Sequence, residues 1–321
     1  MNWHAQMTRR GLGRMLGLAG LLPASRALGA PGLDWDAQPD PGCAFTRTYR
    51  ADAQIVVLSV PVLRRAGVGG GRASWSENAS VRLLDFMGYS LPDRAAGLNR
   101  LGFIRELART EPGAAESMYF GVMTASPEES AAEARQALHR QTREQLYTAI
   151  EGRMGPGEAV TATAHFSAPA QLSVAQRQEL LTMARQALSA APRKAPQFDA
   201  AGGARPTFLQ ALATMLQDPS RKEIRYVYNA RLYRLWLGRS PDSEAAAYFV
   251  KKNLIAAGTG VTRSEGKLRA EDGGREITFQ IWAANTGQPL PLRIEYQPKP
   301  YLRLAFEAEC APAAAGAVST P

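Results

Sequence analysis

The chain has 321 residues, 45% hydrophobic and 21% charged, which allows one large domain or two ordinary ones and excludes a disordered or collagen-like protein. Three histidines (His4, His139, His165) and two cysteines (Cys43, Cys310) leave almost no ligands for a transition-metal centre of the usual His/Cys type, so no metal or other cofactor is expected. The net charge of +9 drops to about +5 once Arg9, Arg10, Arg14 and Arg26 are set aside (9 minus 4), and the remaining cations are dispersed. Arg225, Arg231 and Arg234 alternate with apolar residues and are answered by Glu223 and Glu244, which argues against a nucleic-acid footprint.

Residues 1–30 read as a signal peptide. Thr8-Arg9-Arg10-Gly11-Leu12-Gly13-Arg14 leads into Met15–Leu22, and small residues follow at Ala27-Leu28-Gly29-Ala30. An apolar run of about ten residues is too short to cross a bilayer, which takes about twenty, so no transmembrane anchor is expected. The paired arginines resemble a twin-arginine export signal, and Gly13 departs from that pattern, which leaves ordinary Sec export open. Either route implies the bacterial periplasm or secretion. In an oxidising compartment Cys43 and Cys310 are most simply read as one disulfide joining the chain ends, with two free cysteines as the alternative. The residues before Cys43, Asp40-Pro41-Gly42, lack the apolar position of a lipobox.

Residues 31–43 form an extended lead-in, 44–310 a single α+β domain, and 311–321 an Ala/Pro tail. Strands are expected over 44–125: at 53–60 before Pro61, at 72–77, at 80–86, and at 101–108 and 118–123 on either side of Pro112-Gly113. Gly67–Gly71 reads as a hairpin turn, because no helix follows to make it a phosphate loop.

The middle zone, 126–221, is helical. Ser126-Pro127-Glu128-Glu129, Ser173-Val174-Ala175-Gln176 and Thr207-Phe208-Leu209-Gln210 each match a capping box, and the second and third lead into apolar stripes at helical spacing. A further hairpin, 144–150 with 159–166, turns at Gly155-Pro156-Gly157.

Over 222–310 the chain alternates with period two: Ile224 to Leu232, then Ile277, Phe279 and Ile281, then Leu290 to Tyr296, then Leu302, Leu304 and Phe306. Breaks fall at Asn285-Thr286-Gly287 and Pro298-Lys299-Pro300. This predicts an antiparallel meander and excludes a doubly wound parallel sheet. Phe279-Gln280-Ile281-Trp282, Leu290–Tyr296 and Leu302–Phe306 resemble the last strands of uncharacterised bacterial periplasmic domains of unknown function. Those are similar to the half-barrel of lipoprotein-localisation carriers. The resemblance implies a curved antiparallel sheet packed against about three helices, and no catalytic residue comes with it.

No nucleophile motif occurs. His165 is the one candidate for chemistry, weighed against a packed or surface strand histidine, and Asp52, Glu77, Asp85 and Glu106 are candidates for a carboxylate pair, weighed against solvated sheet-face residues. Tyr226, Tyr228, Trp236, Phe279, Trp282, Tyr296 and Phe306 either line or fill a concavity between sheet and helices. The leading expectation is a non-enzymatic exported protein that binds an apolar or lipid-like ligand there. The alternatives are an envelope structural or interaction protein with a filled core, docking a protein partner, and an envelope hydrolase.

Overall fold

The computed structural model describes residues 44–310 apart from 58–59, 79–80, 96–98, 110–115, 126–143, 156–157, 170–176, 196–204, 230, 275 and 300. Seven strands come first: β1 (Ala44–Val57), β2 (Val60–Glu77), β3 (Val81–Ser90), β4 (Leu101–Arg109), β5 (Ser117–Thr124), β6 (Glu144–Gly155) and β7 (Glu158–Pro169). Helices α1 (Arg177–Ser189) and α2 (Phe208–Gln217) follow, then β8 (Glu223–Tyr228), β9 (Arg231–Pro241) and helix α3 (Ser243–Lys251). The last strands are β10 (Val261–Ala270), β11 (Ile277–Ala284), β12 (Arg293–Lys299) and β13 (Leu302–Ala308).

All thirteen strands join one antiparallel sheet in the order β7-β6-β5-β4-β3-β2-β1-β13-β12-β11-β10-β9-β8. Two consecutive meanders are thus stitched in the middle, where the first strand meets the last with Tyr49 opposite Ala308 and Ile55 opposite Leu302. Both ends of the described chain build one β layer, as the sequence pattern predicts. The sheet curls until its ends approach: Tyr119, Ile150 and Met154 of β5 and β6 pack on Val227 of β8, with Tyr228 and Leu232 alongside. It does not close by strand pairing. The described parts of the α1–α2 connection touch each edge strand at one residue: Lys194 exchanges two backbone bonds with Thr161 of β7 (2.9 and 2.8 Å), and Pro206 accepts from Val227 of β8 (3.0 Å).

Successive strand residues point to opposite faces, and the sheet is buried on parts of both. On the concave face α2 lies among Tyr226, Leu235, Leu237, Phe279 and Ile281 on one side and Tyr49, Ala73, Trp75, Leu84 and Phe306 on the other. Its Ala211, Ala213 and Met215 are fully buried, as a helix with apolar residues on most sides requires. α1 packs on the convex face, setting Leu180, Ala184 and Leu188 against Phe120, Val122, Tyr147 and Ala149. α3 covers the same face at the other end, where Phe249 meets Val261 and Leu292. One helix fills the curve and two brace it from outside.

Several boundaries differ from the sequence reading. The expected strand over 53–60 is divided between β1 and β2, and Pro61 lies within β2. Gly67–Gly71 is no turn: it sits inside the 18-residue β2, with Gly69, Gly70 and Gly71 opposite Ala51, Arg50 and Tyr49. Ile224–Leu232 is a hairpin, turning at Asn229 with φ +46, a left-handed conformation that asparagine tolerates. α3 interrupts the expected meander behind an Asp242 cap whose side chain accepts from the Ala245 amide at 2.8 Å. The helix expected from Ser126 lies outside the described residues.

Candidate functional site

The interior is organised around Glu106. Strand alternation puts this carboxylate on the concave face of β4, opposite Leu84 on one side and Tyr119 on the other, and it is completely buried. It accepts from the Leu209 amide (2.9 Å), the Gln210 amide (3.0 Å) and the Thr207 hydroxyl. The two amides are orphan donors of the first turn of α2, and the positive end of the helix dipole adds to their attraction. Contrary to the capping-box expectation, the Thr207 hydroxyl makes no cap to its own helix; it donates to Glu106, which caps α2 from a strand about a hundred positions earlier. Burial pushes the Glu106 carboxyl up to about 7, and the amides and hydroxyl pull against that shift.

Arg239 holds the other end of α2, where a helix leaves unpaired carbonyls. Its guanidinium donates to the carbonyls of Met215, Arg221 (2.7 Å) and Pro219 (3.2 Å). Beside the Glu106 cap runs a chain of rings: Phe208 on Tyr226 (centroids 5.4 Å), Tyr226 on Tyr233 (5.3 Å), Tyr233 on Tyr228 (6.4 Å) and Tyr228 on Tyr119 (5.9 Å). Burial drives the Tyr226 and Tyr228 hydroxyls to weaker acidity, so they are neutral phenols at any physiological pH.

The seven aromatic candidates do not share one cavity. Tyr226, Tyr228, Phe279, Tyr296 and Phe306 belong to the concave face, in or against the clusters that α2 completes. Trp236 and Trp282 lie on the convex face. Trp236 donates its indole N–H to Glu223 at 2.7 Å. Trp282 donates to Asp242 at 3.0 Å beneath the guanidinium groups of Arg263 and Arg293. Two cavities, of about 160 and 200 Å³, touch none of the seven. The first is lined by Met118, Glu151, Arg153, Thr161 and Arg193, the second by Arg50, Lys252, Leu254, Glu307 and Cys310. Both are smaller than ligand pockets, which run from about 300 Å³.

His165 is exposed on β7 with Nδ1 at 3.1 Å from the Thr148 hydroxyl, and it lines neither cavity. The four carboxylates do not meet. Asp52 holds Arg64 (2.9 Å) and accepts from the Gly67 amide (2.8 Å), Glu77 pairs with Arg82 (2.7 Å), and Asp85 receives both arms of Arg105 (2.8 Å each). Asp52 and Glu106 are buried, contrary to the expectation of solvated residues. The dispersed arginines are answered chiefly from one turn, with Arg225 and Arg234 on Glu271 (2.8 and 3.1 Å) and Arg231 on Asp272; Glu223 holds Arg234 as expected (3.2 Å), while Glu244 lies in α3. Cys310 is a free, exposed thiol that donates to the Lys252 carbonyl at 3.0 Å rather than half of a disulfide, and Cys43 lies outside the described residues. Among the described residues no group of three His, Cys, Asp or Glu could hold a metal ion, and no helix is long and apolar enough to cross a membrane.

No family model and no curated protein matches the sequence. Among solved structures the chain is similar to the crystal structure of a β-barrel-like protein of a domain of unknown function, DUF1849, from Brucella abortus. The identity is 8%, the match covers 83% of this chain and 95% of that one, and the TM-score is 0.35.

The part of the interior that sequence reasoning missed is the Glu106 cap. One signal was present: an acidic residue at an alternation position otherwise facing the core, between Ile104 and Ala108.

Proposed function

We propose that the chain is an exported, non-catalytic interaction or structural protein of the bacterial envelope, its barrel-like sheet a rigid frame for surfaces that meet a partner. One observation carries the reading: the concave face that would hold a ligand is occupied by α2, which is bound at its start by Glu106 and at its end by Arg239. The aromatic residues gathered there are core. The pattern of residues 1–30 supports export. His165 lends a hydrolase no support, since it stands exposed on β7 against the Thr148 hydroxyl and lines neither of the two cavities described.

An apolar ligand in the same concavity has to displace α2. Native mass spectrometry of protein purified from the envelope fraction, together with titration of a fluorescent fatty acid, separates the two cases. The expected results are the bare polypeptide mass and no saturable uptake. An acyl chain retained at one per protein would overturn the filled-core reading in favour of a carrier.

A further inference from the structure

We propose that the outer edge of β7 joins two copies of the chain into a symmetric dimer, the two strands running antiparallel about Phe166. The proposal rests on the interaction-protein reading above and names its partner as a second copy. The two fail separately, because acyl retention and oligomeric state are different measurements.

The ends of the sheet overlap rather than abut. Val227 points away from Tyr226 and the α2 cluster, yet it is fully buried, against Tyr119, Ile150 and Met154. Those three point away from the side of Phe120, Tyr147 and Ala149 that α1 covers. β8 therefore lies inside the layer of β5 and β6, where Pro206 also bonds to Val227. β7 is left as the outermost strand. Its Thr163 side chain shares the concave face with Ile150 and donates there to Asn229 (3.2 Å), so the β8–β9 turn meets β7 from within and not beside its edge.

Strand geometry decides which groups on β7 face outward. The amide and carbonyl of one strand residue point to the same side, and Thr161 turns both to Lys194 (2.9 and 2.8 Å), so Thr163, His165 and Ser167 turn theirs outward as well. Among the described residues no backbone group meets these three from that side, and all three are exposed. Native edges are defended by charge, proline or a bulge. β8 carries Glu223 and Arg225, whereas β7 has no Lys, Arg, Asp or Glu from Ala159 to Ala168, and its register with β6 runs without a shift from Glu158 to Pro169.

A two-fold interface has to be self-complementary, and this edge is. With the axis at Phe166, His165 lies opposite Ser167 of the second copy, and each such pair exchanges two backbone bonds. Thr163 then lies opposite Pro169, which has a carbonyl to accept and no amide to strand. The register stops short of Thr161, whose edge groups Lys194 already holds. Neither strand brings a charge to the seam, so two copies meet without repulsion. β8, tucked inside, offers no edge for head-to-tail growth, and the assembly closes at two.

The test is sedimentation velocity of the purified protein over a range of concentrations, with a dimer expected. His165→Pro removes one outward donor and no bond to β6, so it is expected to raise the dissociation constant about tenfold or more while the monomer melts as before. His165→Lys keeps the amide and brings a cation to the seam, and is expected to weaken the dimer likewise. With Cys43→Ser and Cys310→Ser in place, a mixture of His165→Cys and Ser167→Cys proteins is expected to cross-link on oxidation, since facing Cα atoms about 5.5 Å apart suit a disulfide, and either protein alone is not. A monomer at every concentration, a dimer that His165→Pro and His165→Lys both leave intact, absence of the mixed cross-link, or assemblies growing past two would each overturn the proposal. So would a foreign peptide retained at β7 in a protein that stays monomeric, since the occupant would then be a partner strand.

Discussion

Glu106 makes stability depend on pH in a defined window. Its folded value of about 7 lies above the ordinary 4.5, so between those limits the folded state binds more protons than the unfolded one. Stability is therefore greatest below about 4.5, falls as pH rises to about 7, and is flat beyond, a total change of about 3 kcal/mol. Asp242, held down by the Ala245 amide, and Asp272, held down by the Arg231 guanidinium, act in the opposite sense, but below their ordinary 3.8. Urea melts at pH 5 and pH 7.5 should show the native protein less stable at the higher pH, and Glu106→Gln should erase the difference. A slope that survives the substitution would locate the titration elsewhere. Its alternation position between Ile104 and Ala108 marks Glu106 as facing inward, but its partners belong to α2 and the fold alone brings them together.

Among the elements, glycines in strands separate two kinds of position. A Cβ added at Gly266 would stand 2.2 Å from the Phe279 ring, which covers this glycine from the neighbouring strand, whereas one added at Gly102 meets nothing within 4 Å. Gly266→Ala is expected to cost about 1–3 kcal/mol through displacement of that ring, and Gly102→Ala to stay within about 0.5 kcal/mol of wild type, both read from chemical denaturation. The same packing explains why Gly67–Gly71 resembles a turn in sequence. A Cβ at Gly70 would come within 2.8 Å of the Tyr89 hydroxyl and one at Gly71 within 3.4 Å of the Phe306 ring, so these glycines serve close approach inside a strand. The expected strands coincide with β4, β5 and β13 to within about two residues, and β11 shows the alternation most clearly, with Phe279, Ile281 and Ala283 buried between less buried neighbours. Alternation failed where the pattern hardly changes along the chain: the run from Ile55 to Leu63 is apolar but for Ser59, so it reads as one strand, and the β8–β9 turn at Asn229 keeps the period of the strands beside it.

For the whole molecule, the central pairing of β1 with β13 makes the two meanders one cooperative body. Phe306 and Ala308 share a core cluster with Tyr49, Ala73, Trp75 and Leu84, so neither half owns a complete interior. A single calorimetric transition is expected for the full chain. A chain stopped after Ser189 should be insoluble or molten, with dye-binding apolar surface, because it lacks α2 and leaves one edge of β1 open. The fold class was legible because period-two segments at both ends need a common layer to bury their apolar faces. What occupies the concave face was not legible, since Tyr226, Phe279 and Phe306 read identically whether they line a space or meet Ala211, Ala213 and Met215.

The stitch between first and last strands also sets a clock during synthesis. Residues 302–308 leave the ribosome about 250 positions after β1, a wait of roughly 10–50 s at ordinary elongation rates. Throughout that interval the nascent protein carries half a sheet with a bare side, a form that invites aggregation and suits a holding chaperone. The last seven-residue strand acts as the latch that ends this exposure.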